Sequence, residues 1–305
     1  MRMLTVAVPT HNRAAMLRQT LEALTRLELA DGCEWEVIVV QNNCSDDTSA
    51  VLGAFASRLP LRALSEPRPG VNCARNAAVD AARGDYIIFT DDDTLPVAHW
   101  LSAYVAAFAA HPCVDVFGGP IQPRFVSAPP PWLEHVLPEV AAAYGRLECR
   151  GRGERLSQDF FPFGANMAFA RRVLRKWPFD PTLGPRGKSR INGSEKELIL
   201  KLFANGHEGR WVERARVEHC IQPRQMTTDF IRWYFRGQGA SMPVDVAPGT
   251  RMLWGRPRWL WREAIASELR FRIGKARGRP SEWIRDLKRA SVARGRLTRR
   301  GSDFS

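Results

Sequence analysis

The stretch Gly84-Asp85-Tyr86-Ile87-Ile88-Phe89-Thr90-Asp91-Asp92-Asp93 joins a short apolar run to three consecutive carboxylates. The run is rich in β-branched and aromatic residues and opens after a glycine, which predicts a buried strand over Asp85–Phe89. The aspartates then leave the sheet at its carboxyl end, where open α/β sheets bind ligands. Three adjacent carboxylates repel one another. A hard divalent cation with oxygen ligands, Mg²⁺ or Mn²⁺, relieves that repulsion and can be shared with substrate phosphates. A solvated acidic turn is the plain alternative, and the rest of the chain decides between the two.

Working outward, Leu4–Val8 predicts a first strand, stopped by Pro9-Thr10-His11-Asn12. Met16, Leu17, Leu21 and Leu24 follow at helical spacing. Glu36–Val40 is a second buried strand ending at Gln41-Asn42-Asn43, and Ser45-Asp46-Asp47-Thr48 opens a helix. Leu61–Ser65 is a third strand, and an alanine-rich helix from about Val71 to Arg83 leads back to the quoted stretch. This alternation predicts an α/β fold with a mostly parallel, Rossmann-like sheet and helices on both faces. Its loops gather at one edge, where a nucleotide site is expected.

Beyond Pro96 the pattern predicts a helix ending near His111, strands at Val114–Gly118 and Ile121–Phe125, and an irregular excursion over 127–161. A strand-like run follows over Phe163–Phe169, then a mobile Gly/Pro-rich loop over Leu183–Asn192 beside an anionic ligand. Gly193–Asn205 predicts a helix with Leu198, Ile199, Leu202 and Phe203 on one face, and Arg210–Val217 a strand.

Charge divides the chain. The formal net charge is +13, yet Arg251–Ser305 holds 16 basic and 5 acidic residues, leaving the first 250 residues nearly neutral. A basic tail points to anionic partners. Six scattered cysteines without a C-x-x-C pair suggest neither a zinc site nor a disulfide framework. No signal-peptide core and no apolar run of about 18 residues is present. A reducing, cytoplasmic setting is the expectation.

In order, Val8-Pro9-Thr10-His11-Asn12-Arg13, Val39-Val40-Gln41-Asn42-Asn43-Cys44-Ser45-Asp46, Ala74-Arg75-Asn76, Gly84–Asp93, Gly164-Ala165-Asn166-Met167-Ala168-Phe169, Phe179-Asp180 and Gly193-Ser194-Glu195-Lys196-Glu197-Leu198 resemble the inverting glycosyltransferases of family 2, which have the GT-A fold. The resemblance covers roughly residues 4–240. It implies a nucleotide-binding half over about 1–118, an acceptor half over about 119–240, and a basic Trp/Arg-rich extension over 241–305.

The resemblance also implies a nucleoside-diphosphate-sugar donor, a saccharide or lipid-linked acceptor, and Mg²⁺ or Mn²⁺ as cofactor. Asp91 and Asp93 become the ends of a D-x-D motif: Asp93 on the metal, Asp91 on ribose or the metal's water shell, Asp92 the spare. Glu195 falls on the first helical turn, where the family carries its catalytic acid, and is the candidate general base. Glu197 is the runner-up, and helix capping is the alternative for Glu195. Pro9, Thr10, His11, Asn12 and Arg13 would line the base and ribose. Asn42 stands where the family more often has an aspartate facing the base. Arg75 either reaches the diphosphate or is a solvated helix charge. Phe163, Gly164 and Asn166 resemble the segment lining the sugar pocket, and Gly164 would admit the ligand closely. His219 is either a late metal ligand or a buried structural histidine.

In the tail, Trp283, Ile284, Leu287 and Ala290 share one face of a helix begun by Ser281, opposite Arg285, Lys288 and Arg289. That pattern suits either an interfacial helix on the anionic inner face of the membrane or a helix packed on the domain. The whole suggests cell-surface polysaccharide or glycoconjugate synthesis. A sugar nucleotidyltransferase is the other enzyme class, but no Gly-rich phosphate loop follows the first strand. A nucleic-acid-binding protein is the non-enzyme class, but no helix-turn-helix, zinc or RNA-binding signature accompanies the basic tail.

Overall fold

The computed structural model describes residues 3–29, 32–186, 189–191, 194–244 and 246–298. In chain order the elements begin β1 (Leu4–Thr10), α1 (Ala14–Leu24), β2 (Trp35–Asn42), α2 (Thr48–Phe55), β3 (Leu61–Glu66), α3 (Val71–Ala81) and β4 (Tyr86–Phe89). They continue with β5 (Thr94–Pro96), α4 (Trp100–Ala110), β6 (Val116–Gly118), β7 (Ile121–Phe125), α5 (Pro131–Val140), β8 (Met167–Ala170) and α6 (Arg171–Lys176). Last come β9 (Gly184–Arg186), β10 (Ser189–Ile191), α7 (Ser194–Ala204), β11 (Gly209–Trp211), β12 (Val217–Ile221), α8 (Thr228–Ala240), β13 (Met252–Leu253), β14 (Arg256–Pro257), α9 (Arg258–Ala276) and α10 (Pro280–Thr298).

The chain divides into two compact units. The first comprises Met1–Arg124, Gly145–Arg186 and Gly193–Cys220; the second comprises Phe125–Tyr144, Gly187–Asn192 and Ile221–Ser305. This division differs from a cut near residue 240: α5 and α8 join the tail rather than the sheet.

In the first unit seven strands form one sheet in the order β11-β6-β8-β4-β1-β2-β3. β1 lies parallel to both β2 and β4, β2 to β3, and β6 to β11. Only β8 runs antiparallel to its neighbours β4 and β6. All four residues of β4 are buried, so both faces of the sheet are covered there, as its unbroken apolar run requires. Strand order reverses between β1 and β4, which makes their carboxyl ends a topological switch point. Phe89 and Phe169 meet Phe179 edge-on at 5.4 and 6.0 Å between ring centres. This aromatic layer forms the floor of the edge carrying the aspartates.

A second sheet, β5-β12-β7, begins immediately after those aspartates. Its register sets His219 opposite Thr94. Arg210–Val217 is therefore not one strand. It breaks into β11 and β12, with a turn closed by Ala215 N–H on the Val212 carbonyl at 3.0 Å. The 163–169 run also divides: Gly164–Asn166 forms one 3₁₀ turn before β8. The 127–161 excursion contains α5, begun by Pro131 at its first position, where a missing N–H does no harm. In the 183–192 segment, β9 and β10 replace part of the expected loop, and residues 187, 188 and 192 lie outside those described.

In the second unit, α5, α8, α9 and α10 bury Leu133, Val136, Ile231, Phe235, Phe271, Trp283, Ile284 and Leu287 in a common core. The α10 face proposed for lipid is thus internal: Trp283 is 4% exposed, and Ile284, Leu287 and Ala290 are fully buried. Packing, the plainer alternative, describes α10. Glu268 of α9 ties the helices together, meeting Arg232 of α8 at 2.7 Å, Arg272 at 3.2 Å and Arg294 of α10 at 3.5 Å. Among the described residues no helix is long and apolar enough to cross a membrane. All six cysteines are free thiols.

Candidate active site

The turn after β4 is fixed before any ligand arrives. Thr90 Oγ1 donates to the Ala165 carbonyl at 3.0 Å and lies 2.6 Å from Thr94 Oγ1. Thr94 in turn bonds the Asp91 carbonyl at 2.8 Å. The Cys220 N–H holds the Asp93 carbonyl at 2.8 Å. Three acidic side chains are thereby presented in a fixed arrangement at the switch point.

Their compensation is uneven. Thr10 donates to Asp92 at 2.7 Å, while Arg13 Nη1 reaches Asp92 at 3.1 Å and Asp93 at 2.7 Å. His219 Nε2 stands 3.5 Å from the other Asp93 oxygen. Burial disfavours ionised Asp93, but His219 and Arg13 overcome it and hold its pKa at about 2. Burial dominates at Asp92, assisted by Asp93 and Asp91 and opposed by Arg13 and Thr10; its pKa rises to about 7. Asp91 is also pushed up, first by burial and then by Asp93, with Arg75 and His219 opposing. Arg13 is held charged above its ordinary range: its burial opposes this, and Asp92 and Asp93 outweigh it. The frame thus supplies one carboxylate held ionised, Asp93, and two whose ionised form burial disfavours.

The opposite wall is built on α3 and α7. Arg75 is 4% exposed, which removes the solvated-charge reading. Its guanidinium bonds Asn72 Oδ1 at 3.2 Å and lies 5.5 Å from the centre of the Phe179 ring. It stands 3.8 Å from Glu195. A Cβ on Gly164 would fall 2.1 Å from Arg75 Nη2. The glycine therefore makes room for this arginine, an occupant the sequence did not suggest. The Gly164 N–H also points at Glu195 Oε1 from 3.5 Å. Arg75 and Glu195 both bear electrostatically on Asp91, Arg75 lowering its pKa and Glu195 raising it. Glu197 is exposed.

Two expected ligand contacts have other duties. Asn166 is fully buried: its Oδ1 accepts from Trp100 Nε1 and Tyr104 OH, and its Nδ2 donates to the Pro120 and Ala215 carbonyls, all within 2.6–3.0 Å. With four bonds made, it frames the site and does not line it. Asn42 donates to the Glu66 and Arg68 carbonyls at 3.0 and 2.7 Å and accepts from Gly70 N–H at 2.9 Å. Its amide shapes the 66–70 loop, so it has no donor left for a base. His11 is exposed and hydrogen-bonded to the Asn42 carbonyl at 2.7 Å, while Asn12 accepts from Ser45 N–H at 2.7 Å. Pro9 is half-buried in β1. The loops after β1 and β2 thus form one shelf beside the aspartates.

Sequence reasoning assigned Arg13 to the nucleotide and missed its bridge between Asp92 and Asp93. It also missed Phe179 beneath Arg75. The spacing Asn72-x-x-Arg75, one helical turn, was the available signal for the Asn72 contact.

Aspartate oxygens match the preferences of Mn²⁺ or Mg²⁺, and the imidazole favours Mn²⁺ over the harder Mg²⁺. Among the described residues no three His, Cys, Asp or Glu side chains are grouped to enclose a metal alone. Asp93 and His219, 3.5 Å apart, are two side chains that could contribute ligands to a cation here.

The family model described as Glycosyl transferase family 2 matches residues 5–177. Hyaluronan synthase of Pasteurella multocida is 30% identical over 271 residues, covering 80% of this chain and 26% of that protein. Chondroitin synthase of Escherichia coli is 28% identical over 275 residues, covering 80% and 38%. The chain thus spans between a quarter and two-fifths of these relatives. Among solved structures, mannosyltransferase PcManGT from Pyrobaculum calidifontis, in complex with GDP-Man and Mn²⁺, superposes with a TM-score of 0.57 at 17% identity, covering 97% of this chain and 87% of that one. TarS 1–349 of S. aureus in complex with UDP gives 0.56 at 14% identity, covering 96% and 90%. These structures share the α/β architecture of the GT-A glycosyltransferases. With more than half of its length matched by the family model, the chain belongs to glycosyl transferase family 2.

Proposed function

We propose that this protein is a metal-dependent, inverting glycosyltransferase that moves a sugar from a nucleoside-diphosphate donor to an acceptor hydroxyl, in polysaccharide or glycoconjugate synthesis. One observation carries the reading: Asp91–Asp93 leave β4 at the carboxyl edge of the sheet's switch point, and the Arg75–Glu195 pair, 3.8 Å apart, bears electrostatically on Asp91. The relatives' names, hyaluronan and chondroitin synthase, support the polymer assignment, and the complexes with GDP-Man, UDP and Mn²⁺ support the donor class and cofactor.

In this proposal the shelf of Pro9, Thr10, His11, Asn12 and Arg13 receives the nucleoside. Asp91 and Asp92 border its diphosphate, and Asp93 with His219 would hold Mn²⁺ or Mg²⁺. A cation held there would supply positive charge to the diphosphate oxygens as the bond between the anomeric carbon and the phosphate oxygen breaks. Arg75, fixed by Asn72 and Phe179, adds a second positive charge at the leaving group. Glu195 takes the proton of the acceptor hydroxyl as its oxygen bonds the anomeric carbon from the side opposite the departing nucleoside diphosphate. That inverts the anomeric centre. The Gly164 N–H and Arg75 hold Glu195 in position. A lipid-linked acceptor would bring the enzyme to a cytoplasmic membrane face.

The test is nucleoside diphosphate release from a panel of UDP- and GDP-sugars with Mn²⁺ and a saccharide or lipid-linked acceptor. Stimulated release from one donor supports the assignment. No response to any donor, acceptor or metal would remove it.

A further inference from the structure

The second unit carries an apolar surface that its own core does not use. β13 and β14 pair antiparallel, Leu253 opposite Arg256, and are joined by the two-residue turn Trp254-Gly255. Both turn residues have positive φ, 48° at Trp254 and 71° at Gly255. Such a tight hairpin turn favours Asn-Gly or Asp-Gly, because a bulky side chain resists the left-handed region. Here that position holds a tryptophan that is 79% exposed. It is buttressed, not loose: its ring meets Trp261 edge-on at 5.2 Å, and Trp261 Nε1 bonds the Leu253 carbonyl at 3.0 Å. A strained turn that leaves most of a large indole in solvent gains little from packing beyond that one ring contact.

The neighbouring helix continues the surface. Ile265, Leu269 and Ile273 of α9 are spaced four apart, hence on one face, and are 58%, 56% and 52% exposed. Leu260, Ala264 and Phe271, on the opposite face, are buried. α9 is therefore apolar on both sides, one facing the core and one facing out. Arg258 and Arg262 lie on the outward side and are exposed. Among the described residues no carboxylate pairs with either.

We propose that the Trp254 turn and the outer face of α9 together form a peripheral docking surface for an anionic lipid bilayer. Indoles favour the headgroup level, aliphatic side chains enter the acyl boundary, and arginines meet the lipid phosphates. Charge selects this occupant. Arg258 and Arg262 give this side positive charge with no carboxylate partner among the described residues, within a stretch, Arg251–Ser305, that carries eleven more basic than acidic residues, so a second copy would bring the same charge to the contact. An anionic leaflet is complementary. The inference is independent of the transfer chemistry.

Co-sedimentation with vesicles tests it, using phosphatidylcholine alone and phosphatidylcholine mixed with phosphatidylglycerol. The full chain is expected to bind the mixed vesicles and to release at high salt. Trp254→Ala and the triple variant Ile265→Ser/Leu269→Ser/Ile273→Ser should each weaken binding by roughly tenfold or more, since apolar insertion is lost. Arg258→Ala and Arg262→Ala should each weaken it roughly fivefold, the attraction of one basic side chain to the leaflet. These sites are exposed, so folding is retained, which circular dichroism verifies. Val126→Ser, at another exposed apolar position, should bind like the parent. Equal binding to both vesicle types, or unchanged binding by the Trp254 and triple variants, would overturn the proposal. So would a concentration-dependent dimer, seen by sedimentation velocity, that Trp254→Ala dissolves.

Discussion

Two acidic centres in this protein are compensated in opposite ways. Glu268 is one carboxylate among three arginines, and its pKa is lowered, first by the Arg232 hydrogen bonds. Asp91, Asp92 and Asp93 are three carboxylates that draw on Arg13, Arg75 and His219, and two of the three are pushed upward. The first centre is complete and holds helices together. The second keeps one carboxylate, Asp93, ionised on a firmly fixed edge, beside two whose ionised form burial disfavours. Three buried carboxylates with shifts in opposite directions at a sheet edge mark a candidate functional site, whereas a closed ion network marks a structural one.

The sharpest way to break this contrast is to neutralise the acid expected to move a proton. Glu195→Gln should lower turnover by about 10²–10⁴, the usual contribution of a positioned base, while donor binding measured by calorimetry changes little. Wild-type turnover would assign proton transfer elsewhere. Glu197→Gln, on the exposed side of α7, should leave turnover essentially unchanged.

Asn166 separates framework from lining. Asn166→Ala leaves the buried Trp100 and Tyr104 donors without their acceptor and should destabilise the fold by about 3 kcal/mol in urea titration. A stable variant with altered donor preference would return this residue to the pocket wall.

The closed network predicts a smaller, pH-dependent effect. Glu268→Gln should cost about 2 kcal/mol, since the arginines lose their charged partner. The folded pKa of Glu268 lies below its unfolded value of about 4.3. Its stabilisation is therefore complete above that value and lost as the pH falls through the folded pKa. Denaturation curves between pH 7 and pH 3 should show the parent losing more stability than the variant.

Much of the first unit was legible because its signals are local. The apolar runs of β1, β2 and β4 and the aspartates that follow read directly as buried strands with polar ends. Non-local pairing was not legible. His219 reaches Asp93 only through the register of β12 on β5, and Arg13 spans from the loop after β1 to the end of β4. The duties of Asn42 and Asn166 were not legible either, because sequence shows an amide's type but not how many bonds the fold gives it. In the second unit, α5 was hidden by its prolines, Pro131 and Pro138. α9 was hidden by apolar residues on two faces, which blur helical periodicity.

The proposed binding of a nucleoside diphosphate together with a divalent cation at the Asp91–Asp93 edge is open to calorimetric titration of UDP and GDP, with and without Mn²⁺, on the parent and on Asp93→Asn. One nucleotide is expected to bind the parent only when Mn²⁺ is present, and Asp93→Asn is expected to lose this binding while remaining folded. Equal, metal-dependent binding by the variant would contradict it.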